Sequence, residues 1–371
     1  MNRRTLGGCL GMALAVLSGA ASCTRQTGFC ETDADCASGM TCDANGTYLC
    51  IPKLEFKQET IGTSQNLYGV AVDINHVSGQ ALWIVGDSGE VFSLDPNTKR
   101  LQRNSALSGV PGQPAIGKSL RAVTVDSGTV TAVGLGGAYF VHKAGDAAWM
   151  QPLPAASTDF SQTDLFAIRS RAADELFAVG NQNFAKNGAT PLIQSIPVVN
   201  GDILYGLYTV AGTAVKPWAV GKKGVVYVHQ GDWVPFSTTS QGKNADVRVP
   251  TSGTLYGIWG NADASVLWSV GSLATLVYAQ GNKWRSCADE PGFCPATPDP
   301  TVTQDFYAVW GVSEAEFFIV GGQGLLLYFD GKRFRKLASA VASDLLGIHG
   351  SVDGKEVWAV GKSGTALHLS R

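Results

Sequence analysis

The sequence has little of what identifies a catalytic or nucleic-acid-binding chain. Charged residues make up 16% of its 371 residues, the net charge is −2, and no basic tract is present that could grip a phosphate backbone. None of its five histidines pairs with another at the spacing of metal ligands, and no serine lies in a Gly-x-Ser-x-Gly context. The sequence therefore argues against a nucleic acid partner, a histidine metal site and a hydrolase nucleophile elbow, and it indicates no cofactor.

The N-terminus also lacks an apolar run of membrane-spanning length. Its run from Leu6 to Leu17 is too short to cross a bilayer as a stable helix. This run follows Arg3 and Arg4 and leads through small residues to Cys23. A positive start, a short apolar run and small residues form the pattern of a processing signal. We therefore predict a signal peptide over residues 1–22.

The end of this signal resembles the lipobox of bacterial lipoproteins, in the residues Leu17-Ser18-Gly19-Ala20-Ala21-Ser22-Cys23. The resemblance implies cleavage before Cys23 and lipidation of that cysteine, with residues 23–29 as the lipidated cysteine and tether. Ala20 departs from the family pattern, which usually has Leu there, and an ordinary secretory signal is the alternative. Thr24 in place of Asp resembles the outer-membrane sorting pattern. The resemblance thus implies an exported chain, lipid-anchored in the bacterial cell envelope on the periplasmic or surface face of the outer membrane.

The cysteine count favours the lipoprotein interpretation. Of eight cysteines, Cys9 leaves with the signal and Cys23 would carry the lipid. Six then remain, enough for three disulfides with none left over, as expected of an exported protein. These six are Cys30, Cys36, Cys42, Cys50, Cys287 and Cys294.

Residues 30–53 predict a small disulfide-rich module. The stretch has too little apolar surface for a core, and its four cysteines allow three pairings. The segment from Cys30 to Cys42 resembles the C-x-x-D-x-D-C-x-x-G-x-x-C modules of secreted proteins, including the Dickkopf-like type. The cysteine spacing argues against structural zinc, and Asp33 and Asp35 fit either a calcium site or, as we favour, a solvated acidic loop.

From Leu54 onward one sequence motif recurs: an apolar run ending in Val-Gly, two turn residues, a second Gly and another apolar run. It predicts strand, tight turn, strand, with the glycines supplying backbone angles that other residues reach only at a cost. Clear copies lie at 85–89, 133–137, 220–224, 320–324 and 360–364, with a degraded copy at 270–274 and an interrupted one at 179–181.

Each copy is preceded by an opening of Leu or Phe, usually an aromatic residue, and then Gly or Ala. The openings recur about every 46 residues, the spacing of propeller blades with four strands each. We therefore predict an all-β fold, a seven-bladed β-propeller of four-stranded blades over residues 54–371. Copies three and five have weak turns, so six or eight blades are the alternatives. The openings begin at Leu67, Leu120, Leu165, Leu204, Leu255, Phe306 and Leu345.

The last copy ends at Arg371 without a fourth strand. The segment Leu54 to Ile61 has apolar residues at 54, 56 and 61, and we predict that it supplies the missing strand and leaves no open sheet edge. Aromatic residues also recur in the second strand of every copy but the second, which has Thr131, and in the fourth strand of several copies. We interpret them as packing between neighbouring blades. Those of the fourth strand are Trp149, Trp233, Trp284 and Phe334.

The blades, written Trp-Ala-Val-Gly-x-x-Gly at 358–364, resemble those of BNR-like, sortilin-like and photosystem-assembly-factor-like propellers of bacterial surface lipoproteins, in the broad WD40/YVTN-like class. The resemblance covers residues 54–371 and extends to the repeat alone. With strands a to d named in chain order, it implies that ligands bind at the channel mouth, on the face shared by the d-to-a and b-to-c loops. The sialidase Asp-box is absent from the sequence.

Several connections on that face are long, and long loops indicate a binding surface. They cover residues 151–163, 236–254 and 286–304 between repeats, and 182–189 within the third copy. The loop at 286–304 contains Cys287 and Cys294, which we predict to form a local disulfide. Decoration without a ligand is the alternative.

Two positions of the repeat offer candidate binding residues. The residue before strand a is usually polar, and it forms either a ring for a cation or sugar or, as we favour, a set of turn caps. The residue four after the opening varies most, although its Trp-Gly pairs favour packing. The candidates from both positions are Asp164, Asp305, Asp344, Arg169, Tyr208, Trp259, Trp310 and His349. No catalytic or metal-binding residue is assigned.

The sequence thus predicts a non-catalytic, membrane-anchored and monomeric lipoprotein that binds a protein or glycan partner through the loop face of a propeller. One alternative is a carbohydrate-active enzyme of the BNR or sialidase-like type, for which Arg121, Arg169 and Tyr208 are present without a pattern that joins them. The other is an assembly factor for a membrane complex.

Overall fold

The computed structural model describes residues 30–371, except 39, 44–47, 74, 105–116, 147, 152–162, 173–174, 182, 188–189, 195–201, 237–248, 250, 252, 282 and 291. The predicted signal peptide, Cys23 and the tether lie outside the described residues. The chain divides into two compact units, with the boundary between Lys53 and Leu54. Among the described residues, no helix has the length and apolar character needed to cross a membrane.

The N-terminal unit is a small module that two interlaced disulfides hold together. A 3₁₀ turn at Asp33–Asp35 precedes strands β1 (Met40–Cys42) and β2 (Cys50–Pro52), which pair antiparallel. The disulfides are Cys30–Cys42 and Cys36–Cys50. The structure therefore selects one of the three pairings that the sequence allows.

The two aspartates of this module bind donors of the module itself. The Asp33 carboxylate accepts hydrogen bonds from the Thr41 hydroxyl at 2.6 Å and the Cys42 N–H at 2.8 Å, which lower its pKa. The Asp35 carboxylate accepts hydrogen bonds from the N–H groups of Glu31 and Thr32, both at 2.9 Å. Both side chains thus stabilise the loop that carries them.

The second unit consists of antiparallel sheets, one for each repeat, whose strands pair in chain order. It starts with β3 (Lys57–Gln58). Repeats 1 to 3 contain β4 (Leu67–Val72), β5 (Leu82–Gly86), β6 (Val91–Leu94) and β7 (Leu101–Arg103); β8 (Leu120–Asp126), β9 (Thr129–Gly134) and β10 (Tyr139–Lys143); and β11 (Leu165–Ala172), β12 (Glu175–Gly180), β13 (Asn183–Asn187) and β14 (Thr190–Gln194).

Repeats 4 to 7 continue the same order. They contain β15 (Leu204–Tyr208), β16 (Trp218–Gly221), β17 (Val226–His229) and β18 (Trp233–Pro235); β19 (Leu255–Gly260), β20 (Val266–Gly271), β21 (Leu276–Gln280) and β22 (Lys283–Ser286); β23 (Phe306–Ser313), β24 (Glu316–Gly321), β25 (Leu326–Phe329) and β26 (Phe334–Lys336); and β27 (Leu345–Gly350), β28 (Glu356–Gly361) and β29 (Ala366–Ser370).

The described residues form six four-stranded blades, so the prediction of seven is wrong and the alternative of six agrees with the structure. Among the described residues, repeat 2 forms a three-stranded sheet, β10-β9-β8. At its fourth-strand position, the described residues form one bridge, between Val141 and Met150. The sequence that follows has prolines at 152 and 154, which have no N–H with which to extend a ladder.

The ring closes through the segment that the sequence predicted. Each strand a contacts strand a of the next repeat, and β27 of repeat 7 contacts β4 of repeat 1. The fourth strand of the last blade is β3, which pairs with β29 through Lys57 opposite His368 and Gln58 opposite Leu367. This pairing leaves no missing strand in the closing blade.

Aromatic residues join neighbouring sheets at five of the junctions among the described residues, as the sequence predicted. The ring of strand b in one repeat lies against an aromatic ring at the strand-d position of the following repeat. The pairs are Trp83–Trp149 at 5.5 Å between ring centroids, Phe177–Trp233 at 6.3 Å, Trp218–Trp284 at 5.6 Å, Trp268–Phe334 at 6.2 Å and Phe318–Phe56 at 5.8 Å. Phe56 thus takes in the closing blade the place that strand-d aromatics take elsewhere.

The two glycines of the repeated turn are needed for different reasons. The first has extended backbone, with φ of −159° at Gly86 and −166° at Gly361, so the predicted need for unusual backbone angles is wrong there. A glycine is required at this first position because a side chain would not fit: a Cβ on Gly361 would lie 2.0 Å from the Asp344 carbonyl oxygen. The second glycine does have positive φ, for example +68° at Gly364, as predicted.

The closing role of Phe56 predicts the effect of truncating it. Phe56 is only 3% exposed, so Phe56→Ala should lower the free energy of unfolding by about 3–5 kcal/mol, through lost burial and the cavity left behind. The neighbouring Lys57 side chain is exposed, and Lys57→Ala should change stability by less than about 0.5 kcal/mol. Urea denaturation of the chain from residue 24 measures both, and equal stabilities of the two variants would contradict the closure.

Candidate binding site at the channel mouth

The seven inner strands bring one side chain each to the mouth of the central channel. These are the residues that directly follow the opening Leu or Phe of strand a, and together we call them the collar. The collar and the next two residues of most inner strands line a cavity of about 120 Å³. The collar consists of Tyr68, Arg121, Phe166, Tyr205, Tyr256, Tyr307 and Leu346.

Most collar rings contact their neighbours around the channel. Phe166 and Tyr205 lie 5.0 Å apart between ring centroids, Tyr205 and Tyr256 lie 5.6 Å apart, and Tyr256 and Tyr307 lie 5.6 Å apart. The Arg121 guanidinium lies over the Tyr68 ring, 3.7 Å from its centroid. The collar is therefore a continuous aromatic surface over much of its circumference, with one cation on it.

The hydroxyls of three collar tyrosines stay neutral at physiological pH. Burial raises the pKa of Tyr205, of Tyr256 and of Tyr307. Each of these groups can donate and accept a hydrogen bond without carrying charge. The collar thus offers flat apolar rings together with polar atoms, the combination that is enriched at protein interfaces.

The collar is not one of the two repeat positions that the sequence pattern predicts as candidate binding positions. A signal is nonetheless present in the sequence, because an aromatic residue recurs at the second position of the opening. Aromatic residues at repeat-equivalent positions are, however, also typical of packing between blades. Only the ring arrangement around a cavity separates the two roles.

The aspartates before strand a lie next to the collar and cap turns. Each accepts a hydrogen bond from an N–H in the turn of the preceding repeat. Gly136 donates to Asp164 at 2.8 Å, Leu273 to Asp305 at 2.7 Å and Gln323 to Asp344 at 2.9 Å. The donors have φ near +57°, which turns their N–H groups away from the ladder. This geometry matches the turn-capping interpretation of Asp164, Asp305 and Asp344.

The corresponding turn in repeat 1 carries its own carboxylate. Asp87 accepts hydrogen bonds from the Ser119 hydroxyl at 2.6 Å, the Tyr68 hydroxyl at 3.0 Å and the Asn66 amide at 2.9 Å. Burial raises the pKa of Asp87, but these bonds outweigh that effect and hold the pKa below its usual value. Tyr68 is thereby fixed in the collar by a charge-assisted bond.

Three of the candidates four residues after the opening pack against the next repeat. The Tyr208 hydroxyl donates to the carbonyl oxygens of Gly260 at 2.8 Å and Asn261 at 2.7 Å. The ring of Trp259 stacks on Phe317 at 5.8 Å. Trp310 lies so close to Gly350 that a Cβ there would come within 2.5 Å of its ring. The glycine one residue further along the next repeat thus makes room for each ring: Gly260 for Tyr208, Gly311 for Trp259 and Gly350 for Trp310.

His349 also belongs to this packing layer. Its Nδ1 accepts a hydrogen bond from the Val72 N–H at 3.2 Å, across the join between repeats 7 and 1. Burial, assisted by the nearby Arg169 guanidinium, lowers the pKa of His349 to about 3. The imidazole is therefore neutral over the physiological range, with its proton on Nε2.

Arg169 is the exception at this position, because it lines the channel cavity together with the collar. Its Nη1 donates to the Ile168 carbonyl oxygen at 3.0 Å. Burial lowers its pKa, yet an arginine stays protonated at any physiological pH. The structure thus brings together Arg121, Arg169 and the collar rings, whereas the Tyr208 hydroxyl is engaged elsewhere.

The long loops are described only in part. Residues 152–162 and 237–248 lie outside the described residues, which removes most of two of the predicted loops from view. The prediction of a loop over residues 182–189 is wrong, because Asn183–Asn187 form strand β13, which pairs with β12. In the loop at 286–304, Cys287 and Cys294 form the expected disulfide, and both are buried. Phe293 of this loop also contacts Tyr278 of β21, at 5.5 Å between ring centroids, which holds the loop against its own blade.

One cluster of potential metal ligands occurs among the described residues. The sulfur atoms of Cys30, Cys36 and Cys50 lie within 4.8 Å of one another. All three are consumed by disulfides, and metal ligation requires the free thiolate. The cluster is therefore a structural one.

Comparisons with known proteins support the fold. No protein-family model and no curated protein matches the sequence. The structure is similar to that of YCF48 bound to D1 peptide, with a TM-score of 0.63 and 14% identity over 86% of this chain and 98% of the other. It is also similar to YCF48 from Cyanidioschyzon merolae (0.64, 13% identity, 85% and 98% covered) and to U3-55K (0.63, 9% identity, 85% and 98% covered). Identities this low show the β-propeller fold alone.

Proposed function

We propose that this protein is an exported, lipid-anchored and non-catalytic binding protein, and that its collar receives a segment of a protein partner. The observation that carries the proposal is the collar itself, an aromatic surface with neutral hydroxyls around an open cavity. Aromatic anchors of this kind supply most of the binding energy at protein interfaces. The similar propeller of YCF48 bound to D1 peptide supports a peptide-like ligand for this fold.

A role in assembling a membrane complex is the finer form of this proposal. It is supported by the resemblance to photosystem-assembly-factor-like propellers. A carbohydrate-active enzyme has less support, because the Tyr208 hydroxyl is bonded to two carbonyl oxygens and burial raises its pKa. A nucleophilic tyrosine needs a lowered pKa or an adjacent base.

The collar proposal predicts which substitution abolishes binding. A random peptide library selected on the soluble chain from residue 24 should yield binders whose affinity falls about tenfold or more on Tyr256→Ala, a loss typical of an interface hot spot. Tyr328→Ala is the matched control, because Tyr328 lies in β25, which is not an inner strand. Binders should keep their affinity for that variant.

Two results would overturn the collar proposal. One is a set of selected peptides whose affinity is the same for Tyr256→Ala as for the wild type. The other is specific binding in a parallel glycan array, lost on Tyr256→Ala, while no peptide is selected. The second result would make the protein a lectin.

The lipid-anchor proposal rests on the sequence around Cys23 and predicts a separate outcome. In a bacterial host, the full chain should incorporate labelled palmitate and sediment with the membranes. Cys23→Ser should abolish both the palmitate labelling and the sedimentation with membranes, because the lipid on Cys23 is the membrane anchor that we propose. Membrane sedimentation unchanged by Cys23→Ser would contradict it, and Cys9→Ser serves as the control within the signal.

A further inference from the structure

The channel cavity holds an excess of positive charge. Arg121 lies at its mouth, and Arg169 lies three residues further along its strand than the collar residue Phe166, or about 10 Å at strand spacing. None of the described residues that line the cavity carries a carboxylate. Asp87 lies near Arg121 at the mouth and offsets its charge, so Arg169 is the cation that the cavity presents to whatever enters it.

The Arg169 guanidinium makes few hydrogen bonds with the described part of the protein. A guanidinium has five N–H donors, and within the described residues the hydrogen bond to Ile168 is the only one that Arg169 makes. No described carboxylate forms an ion pair with it. The nearby His349 is neutral, and the Tyr208 hydroxyl donates to other groups. The Arg169 side chain is half-buried and lines the cavity, so an anion that enters the cavity can pair with its remaining N–H groups.

The rest of the cavity wall suits an organic anion. Between the collar and Arg169 the wall consists of glycine and alanine backbone and of aliphatic side chains such as Val70, Leu207 and Ile258. A volume of about 120 Å³ corresponds to roughly four water molecules at about 30 Å³ each. That space admits a carboxylate on a short apolar stem, and the fork of Arg169 matches a carboxylate in a bidentate pair.

We propose that the channel binds a carboxylate, which passes through the collar and pairs with Arg169. The inference rests on the proposed function and names its ligand chemistry: the carboxylate belongs to the partner segment, either as an acidic side chain or as the chain end. The collar rings contact the apolar stem, and Arg169 supplies the positive charge that the carboxylate meets inside the cavity. The aliphatic wall disfavours a doubly charged group such as a phosphate.

Benzoate and benzamide test this site without knowledge of the partner, since the two differ in charge and hardly in shape. Titrations followed by saturation-transfer NMR should show that the wild-type chain binds benzoate about tenfold more tightly than benzamide. Arg169→Gln should remove this preference, and Arg169→Lys should retain part of it. Arg100→Gln, at an exposed arginine, should leave it unchanged. Melting temperatures establish that the variants are folded.

Three outcomes of these titrations would overturn the inference. Equal affinities of the wild type for benzoate and benzamide, or an unchanged preference in Arg169→Gln, would overturn the inference. If Arg169→Gln does not fold, an unchanged preference in Arg169→Lys would overturn it, because a point charge cannot reproduce the bidentate fork.

The peptides selected on the collar separate this inference from the proposed function. Amidating the chain end, or replacing Asp and Glu by Asn and Gln, identifies which carboxylate is used. Peptides that depend on Tyr256 but not on Arg169 or on any carboxylate would leave the proposed function standing and refute this inference. Benzoate binding through Arg169 without any peptide binder would support a carboxylate site and refute the peptide-binding function.

Discussion

The close approach between the end of strand b and the residue before strand a organises each repeat. A Cβ on the glycine that ends strand b would lie between 1.8 Å (Gly180) and 2.3 Å (Gly86) from the carbonyl oxygen of that residue, in all seven repeats. The same carbonyl oxygen accepts the next N–H of the turn, as Asp305 does from Gly322 at 2.9 Å. The residue before strand a is therefore fixed by its backbone within its own repeat, and its side chain is free to reach the turn of the preceding one.

A second close approach places the collar. The third residue of the opening is Gly or Ala, because inner strands of neighbouring repeats nearly touch there. A Cβ on Gly347 would lie 2.3 Å from the Tyr68 carbonyl oxygen, and one on Gly69 would lie 2.9 Å from Ala122 Cα. With the backbones this near, the residue just before each of these positions is carried to the channel mouth. The polar residues before strand a thus connect neighbouring repeats, and the collar residues beside them remain available for a ligand.

Much of the fold follows from the sequence because the repeat is local. The Val-Gly turns, the aromatic residues of strands b and d and the apolar positions around Phe56 predict the sheets, their contacts and the closure. The number of four-stranded blades does not follow from the repeat. Whether the residues around Met150 form a fourth strand in repeat 2 depends on the chain that flanks them, and the repeat pattern does not specify that chain. The disulfide partners of Cys30 also depend on three-dimensional proximity, which spacing alone does not determine.

The candidate site was less predictable, because its residue types have two uses. An Asp before a strand can face a ligand or cap a turn, and Asp344 caps a turn in the neighbouring repeat. A residue such as Trp310 fills space that only a glycine in another repeat leaves open. Arg169 shares its position with such packing residues, and its direction into the channel depends on neighbours that no local pattern specifies.

The most direct test of this account is the stability and near-ultraviolet circular dichroism of Gly347→Ala, compared with Gly292→Ala. A Cβ on Gly347 meets the Tyr68 backbone, whereas one on Gly292 meets nothing within 4 Å. We expect Gly347→Ala to lower the free energy of unfolding by about 1–3 kcal/mol and to weaken the tyrosine signal of the collar, since overpacking forces the inner strands apart. Gly292→Ala should leave both unchanged. Equal stability and equal tyrosine signals in the two variants would contradict the claim that strand contact positions the collar.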